Sequence, residues 1–245
     1  MENSPGRVLI LISAYNEGPR VGPVIAAVRG AVPGARVLVV NDGSTDDTAV
    51  VARRAGATVL SHPFNLGAGG ARQTGFRYAQ RQGYDCVVTL DADGQHEPVD
   101  VPRLLEELSP GQVDVALGSR FLGGGTYPTP RLRALGMALI RGLLKLTTGH
   151  KLTDPTSGYQ ALGRRALALY AGPAYPSDYP DAEVLLMVSR AGLRVKEVPV
   201  RMYPRSGGQS MFNGVLRPAW YMFKMLLSIL VTLLLRPESV TREVQ

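Results

Sequence analysis

One cysteine, one tryptophan and three histidines among 245 residues leave little material for several kinds of chemistry. The lone Cys86 cannot close an internal disulfide, and His62 and His150 have no partners at metal-ligand spacing, which argues against a structural zinc site. The N-terminus, MENSPGRVLILIS, holds an apolar run of only five residues, shorter than a secretory leader uses, so the catalytic part is expected to stay in the cytosol. Charged residues make up only 19% and no segment repeats at a fixed period, which excludes a polyelectrolyte tail, a coiled coil or a solenoid. Neither G-K-[ST] nor G-x-G-x-x-G occurs after a strand, which weighs against an ordinary NTPase or dehydrogenase. What remains is a chain that is 45% hydrophobic, long enough for one large core with an appendage and too short for two enzyme domains.

Charge is unevenly placed. Residues 1–118 carry 10 basic and 13 acidic groups, whereas residues 119–245 carry 17 and 7. Between Ser119 and Arg165 eight Lys/Arg face the single acid Asp154, a balance suited to phosphate, nucleic acid or an anionic membrane surface. The basic half lacks base-stacking aromatic clusters and any recognisable module, so nucleic acid ranks last.

Short apolar runs alternate with helical patterns: strands at 8–12, 36–40, 57–61, 86–90 and 113–118, helices at 19–31, 46–55, 68–82 and 98–108. This predicts a Rossmann-like, mostly parallel α/β sheet covered on both faces, with ligands at the carboxyl ends of the strands. The loops there read S-A-Y-N-E (13–17), N-D-G-S-T-D (41–46), N-L-G-A-G-G-A-R (65–72) and D-A-D-G-Q-H (91–96). Asp91 and Asp93, two apart on an extended backbone, place hard oxygen ligands on one side for Mg²⁺ or Mn²⁺, with the Gln95 carbonyl as a third. Asp42 and Glu17 are candidate acceptors for a base or ribose, the Gly67–Ala71 run permits close backbone approach, and Arg72 adds charge beside a helix N-terminus.

Taken in order, and with G-S-R-F (118–121), D-P-T-S-G-Y (154–159) and R-S-G-G-Q-S (205–210) added, these motifs resemble the family 2 glycosyltransferases. The similarity covers about residues 7–215 and is closest to the branch of dolichyl- and polyprenyl-phosphate sugar synthases, dolichol-phosphate mannosyltransferase-like. The resemblance implies a GT-A fold, inversion at the anomeric carbon, a GDP- or UDP-sugar donor, Mg²⁺ or Mn²⁺, and a lipid phosphate acceptor. It places Ala14, Tyr15, Glu17, Asp42 and Asp91 at the nucleoside, Gly70 and Arg72 nearby, and Asp91, Asp93 and Gln95 at metal and diphosphate. Arg120, Arg131 in the loop after G-S-R-F, and Arg205 match the arginines that grip the acceptor phosphate, a task suited to bidentate guanidinium pairing. Asp181 of Y-P-D-A-E stands where relatives carry a base. A phosphate acceptor is already anionic and needs none, which leaves Asp181 to position groups or to cap the helix predicted at 182–191.

The tail, Ala219 to Leu235, is strongly apolar between Pro218 and Pro237, with Lys224, Ser228, Thr232 and Arg236 in a drifting polar stripe and Trp220 and Tyr221 as interfacial anchors. A helix lying in the membrane interface is expected, so that residues 1–215 form the catalytic domain and 216–245 a membrane-associating helix and tail on the cytosolic face; a core or oligomer helix is the alternative. A small membrane-protein partner or a homo-oligomer stays open. Two other functions compete: transfer to a sugar or protein hydroxyl, and a non-catalytic nucleotide-binding or scaffold protein.

Overall fold

A computed structural model of the protein describes residues 6–108, 112–124, 131–177, 180, 182–203, 224 and 227–233. The chain begins as the apolar alternation requires: β1 (Val8–Ala14), α1 (Gly18–Ala31), β2 (Arg36–Asn41), α2 (Thr48–Arg54), β3 (Thr58–Ser61), α3 (Gly67–Arg81) and β4 (Cys86–Asp91). Next come a 3-10 turn at Pro98–Asp100, α4 (Val101–Glu106), β5 (Val115–Ser119), a second 3-10 turn at Leu122–Gly124, α5 (Arg131–Thr148), β6 (Gln160–Leu162), α6 (Arg164–Ala171), α7 (Ala182–Arg190) and β7 (Val195–Pro199).

Among the described residues the strands form one sheet in the order β3-β2-β1-β4-β6-β5-β7. β1 pairs in parallel with β2 and β4, β2 with β3, and β5 with β7, whereas β6 runs antiparallel to both its neighbours. This differs from a simple continuation of the series, in which β5 would lie beside β4. The insertion has a consequence for function. Because β6 runs in reverse, the loop that enters it, Asp154–Tyr159, lies at the same sheet edge as the carboxyl ends of β4 and β5.

Side chains alternate across the central strands, so both faces are buried. Leu9 and Leu11 join Leu38, Phe76, Val87 and Tyr170 on the α3/α6 face, and Ile10 and Ile12 join Val24, Val39, Leu90 and Leu104 on the other. A third cluster gathers Leu117 of β5, Ile140 and Leu144 of α5, Leu185 and Leu186 of α7, and Ile229.

One sequence expectation changes. Arg131 opens α5 rather than lying in a loop, because R-L-R-A-L-G-M-A-L-I carries a helical apolar spacing. Of the tail, residues 224 and 227–233 are described and helical; Ile229 is buried in the third cluster, whereas Leu227, Leu230 and Val231 are exposed. Ser228 and Thr232, expected as part of a polar stripe, are half-buried and joined by a bond from the Thr232 hydroxyl to the Ser228 carbonyl at 2.8 Å.

Candidate active site at the carboxyl edge of the sheet

The first two loops lock onto each other. Asn16 takes a left-handed conformation, φ 55°, which asparagine tolerates better than most residues. Its N–H donates to Ser44 Oγ at 2.9 Å and its Oδ1 accepts the Thr45 N–H at 2.9 Å. Asp46 accepts the Gly18 and Thr48 N–H groups, each at 3.0 Å, and the Thr48 hydroxyl, which in turn accepts the Glu17 N–H at 2.8 Å. Partial burial pushes the Asp46 pKa up, but the bonds from Thr48 and Gly18 outweigh it and hold the group below the usual carboxylate value. Ala14 is buried, Glu17 is buried and paired with Arg20, and Tyr15 stands on the rim with 48% of its surface exposed.

Asp42 is placed differently from a free nucleobase acceptor. Oδ1 accepts the Leu66 N–H at 2.9 Å and meets His62 Nδ1 at 2.7 Å, while Oδ2 accepts the Gly67 N–H at 2.9 Å. Three of the roughly four lone-pair directions of a carboxylate are thereby spent on the chain itself. His62 passes the restraint on, its Nε2 lying 2.9 Å from the Thr74 hydroxyl of α3. The sequence offered His62 no role; its partners, 20 and 12 positions away, were not legible from spacing.

The glycine run is likewise filled from within. A Cβ at Gly69 would collide with the Pro176 carbonyl, and the Gly70 N–H donates to the Ser177 carbonyl at 2.9 Å. Residues 176–177 make the close backbone approach that these glycines permit, and the Gly70 N–H is committed to them.

Arg72, one turn into α3, reaches Asp91 at the end of β4, with NH2 2.9 Å from Oδ1. Gly158 makes room for it: a Cβ there would lie 2.5 Å from the same nitrogen. The Thr89 hydroxyl fixes that glycine by donating to its carbonyl at 2.6 Å. His96 completes the group. Its Nδ1 accepts the Asp91 N–H at 3.1 Å and its ring stacks on Tyr159 at 4.8 Å between centroids. Burial pushes the His96 pKa down to about 4, against the pull of Asp91, so the ring is neutral near pH 7. Burial disfavours charge on Asp91 too, but the Arg72 guanidinium, with that of Arg120, overrides it and keeps the carboxylate below its ordinary pKa.

Asp93 and Gln95 occupy the turn that follows. Asp93 Oδ1 accepts the Gln95 N–H at 3.1 Å, and Gly94 between them has φ +77°, a conformation most side chains would strain. Both residues are half-buried beside the half-buried Asp91. The three supply only oxygen donors, and among the described residues no three His, Cys, Asp or Glu side chains gather in a metal-binding group. That pattern fits a Mg²⁺-like ion, held by one or two carboxylates and completed by ligand phosphate and water, and does not fit an all-protein cage.

Arg120 leaves β5 toward the same edge. Its Nε and NH2 donate to Asp154 Oδ2 and Oδ1 at 2.6 and 3.0 Å, and its own N–H reaches Oδ2 at 3.2 Å. Asp154 is fully buried and only 9% of the Arg120 side chain is exposed. Glu197 of β7 supports the pair by accepting the Thr153 and Asp154 N–H groups, each at 2.8 Å. Arg120, expected to grip an acceptor phosphate, is thus clamped by a carboxylate 34 positions away. The Arg131 side chain, Asp181 and Arg205 lie outside what the structure describes.

Comparison with known proteins follows the same lines. The family model described as Glycosyl transferase family 2 matches residues 9–169. An undecaprenyl-phosphate mannosyltransferase of Micrococcus luteus is 36% identical over 221 residues, covering 85% of this chain and 88% of that protein. A polyprenol monophosphomannose synthase of Mycolicibacterium smegmatis is 32% identical over 219 residues, covering 85% and 82%. Among solved structures, the glucosyl-3-phosphoglycerate synthase of Mycobacterium tuberculosis in complex with Mn²⁺, UDP and glucosyl-3-phosphoglycerate superposes with a TM-score of 0.69 at 23% identity, over 94% of this chain and 79% of that one. That likeness establishes the shared architecture, a GT-A fold.

Proposed function

Since this chain belongs to glycosyl transferase family 2, we propose that it moves a hexose from a GDP- or UDP-linked donor to a polyprenyl or dolichyl phosphate, with inversion, at the cytosolic face of a membrane. The observation that carries this reading is the Arg72–Asp91 pair set directly before the Asp93–Gln95 turn, an arrangement that joins fixed positive charge to oxygen ligands at one strand end. The two relatives named for lipid-phosphate mannosyl transfer support the acceptor class and a mannosyl-type sugar.

Asp93, with Asp91 and the Gln95 carbonyl, would hold Mg²⁺ or Mn²⁺ against the donor diphosphate. The cation supplies charge neutralisation for the departing nucleoside diphosphate. The chain's own residues do the rest. Arg72 keeps Asp91 ionised and oriented, and neutral His96 holds the Asp91 backbone through its Nδ1. Tyr15 on the rim, with Glu17 and the Asp42-bound loop 65–67 behind it, frames the nucleoside. Arg120, oriented by Asp154, faces the acceptor phosphate, with Arg131 and Arg205 as further candidates. A phosphate monoester carries its own negative charge, so its oxygen attacks the anomeric carbon without a dedicated base, and Asp181 serves positioning. Residues 1–215 form the catalytic domain and 216–245 the membrane-associating part.

Incubating the protein with labelled GDP- and UDP-sugars, Mg²⁺ and either polyprenyl phosphate or soluble sugars tests this directly. Label should enter the organic phase only with the lipid phosphate. Label found solely on soluble hydroxyl acceptors would replace the lipid reading with the hydroxyl one, and tight donor binding without turnover would favour a scaffold.

A further inference from the structure

α5 is apolar on two opposite sides, and among the described residues only one of them is packed against the core. Met137, Ile140 and Leu144 are buried, the last two against Leu117, Leu185 and Leu186. Leu135, Leu139 and Leu146, spaced i, i+4 and i+11, are 61%, 59% and 84% exposed. At ~100° per residue they fall within an arc of about 40°, turned away from the buried side. The helix position is therefore fixed by its inner face, and the outer leucines contribute little to folding. The helical residues 227–233, joined to the same cluster through Ile229, expose Leu227, Leu230 and Val231 in the same way.

The charge pattern identifies what covers this face. Residues 120–153 contain no Asp or Glu and six Lys or Arg, and residues 198–237 contain no Asp or Glu and five. Both exposed apolar stripes thus lie in the two acid-free stretches of the chain, with exposed Lys145 and Lys151 at one end of α5. A surface offering hydrocarbon under a layer of negative charge matches both features, whereas leucines give no hydrogen bonds with which to read nucleic acid. An 18-residue helix that carries Arg141 and Lys145 suits a position in the plane of the surface. Among the described residues no helix is long and apolar enough to cross a membrane.

We propose that the outer face of α5, with the exposed side of residues 227–231, docks on an anionic lipid bilayer. This rests on and deepens the membrane-side reading above, adding α5 as a docking element beside the apolar tail. α5 rests on Leu117, three positions before Arg120, so docking would set the phosphate-facing strand end beside the headgroups.

The test is co-sedimentation of the full chain with phosphatidylcholine vesicles with and without phosphatidylglycerol, comparing the native protein with a Leu135→Gln, Leu139→Gln, Leu146→Gln variant. Thermal melting and sugar transfer to a short, water-soluble prenyl phosphate are followed in parallel. The native protein should pellet with the anionic vesicles, less so at high salt, and the variant should bind about tenfold or more weakly with unchanged melting. Failure of the native protein to bind anionic vesicles, or equal binding by the variant, overturns the proposal. So does a shift from dimer to monomer in the variant with vesicle binding unchanged, which would make the stripe an interface between copies. Lost vesicle binding in the variant beside absent transfer in both proteins would keep the docking face and reject the acceptor assignment.

Discussion

Arg120, just past the end of β5, and Asp154, in the loop that enters β6, meet in a buried bidentate pair at 2.6 and 3.0 Å. The antiparallel insertion of β6 creates this meeting. Removing one partner of such a pair strands the other charge in the interior, at a cost of about 3–5 kcal/mol. Asp154→Asn should accordingly lower the urea midpoint substantially and, in the fraction that remains folded, reduce sugar transfer by weakening acceptor affinity. An unchanged midpoint would show that the pair is solvated and dispensable.

Gly158 separates a positioning effect from a folding one. A Cβ there meets the end of the Arg72 side chain and not backbone, so Gly158→Ala should cost only about 1 kcal/mol of stability, the low end of overpacking. It should nonetheless displace Arg72 from Asp91 and lower kcat/KM by about tenfold or more, since small displacements in a reacting site are costly. Denaturant titration and steady-state kinetics on the same preparation check both halves.

Gly69→Ala should behave in the opposite sense. Its Cβ would run into the Pro176 carbonyl and Ser177, both backbone, so overpacking of about 1–3 kcal/mol is expected. Gly70→Ala meets only the Leu66 side chain and should be milder. Equal midpoints for the two variants would contradict the packing of residues 176–177 on α3.

Cys86 supplies a pH prediction. Burial, with the neighbouring Asp85 charge, pushes its thiol up to about 11. A raised pKa means that the reactive thiolate is scarce at neutral pH and grows about tenfold per pH unit below that value. Alkylation of the folded protein should therefore be slow at pH 8 and climb steeply toward pH 10, whereas in denaturant it should be fast already at pH 8. Fast labelling of the folded protein at pH 8 would place Cys86 in an open environment.

How much of this was legible in the sequence depended on whether the signal was local. β1 to β4 were visible because each is a near-continuous apolar run, and their end-loops because glycine, aspartate and asparagine cluster there. β6 was missed because Gln160–Leu162 is three residues long and has no periodicity of its own. β7 was missed because Lys196 and Glu197 interrupt it, as an edge strand permits. At the site, the residue types were readable but their partners were not. Asp42 is tied to loop N–H groups 24 and 25 positions on, and the glycine run is tied to a segment about 107 positions away, contacts that no local spacing in the sequence reveals. The Arg72–Asp91 pair joins two residues that the motifs had each singled out, and only the fold brings them within 2.9 Å.

The proposed function rests on the Asp91–Gln95 turn holding a divalent cation against the donor diphosphate. Its most direct test is calorimetric titration of a nucleoside diphosphate sugar into the native protein and into Asp93→Asn, each with and without Mg²⁺ or Mn²⁺. Strengthening of about tenfold or more by the cation in the native protein, and none in the variant, is the expected result. The same strengthening in both proteins would place the cation elsewhere and contradict the account.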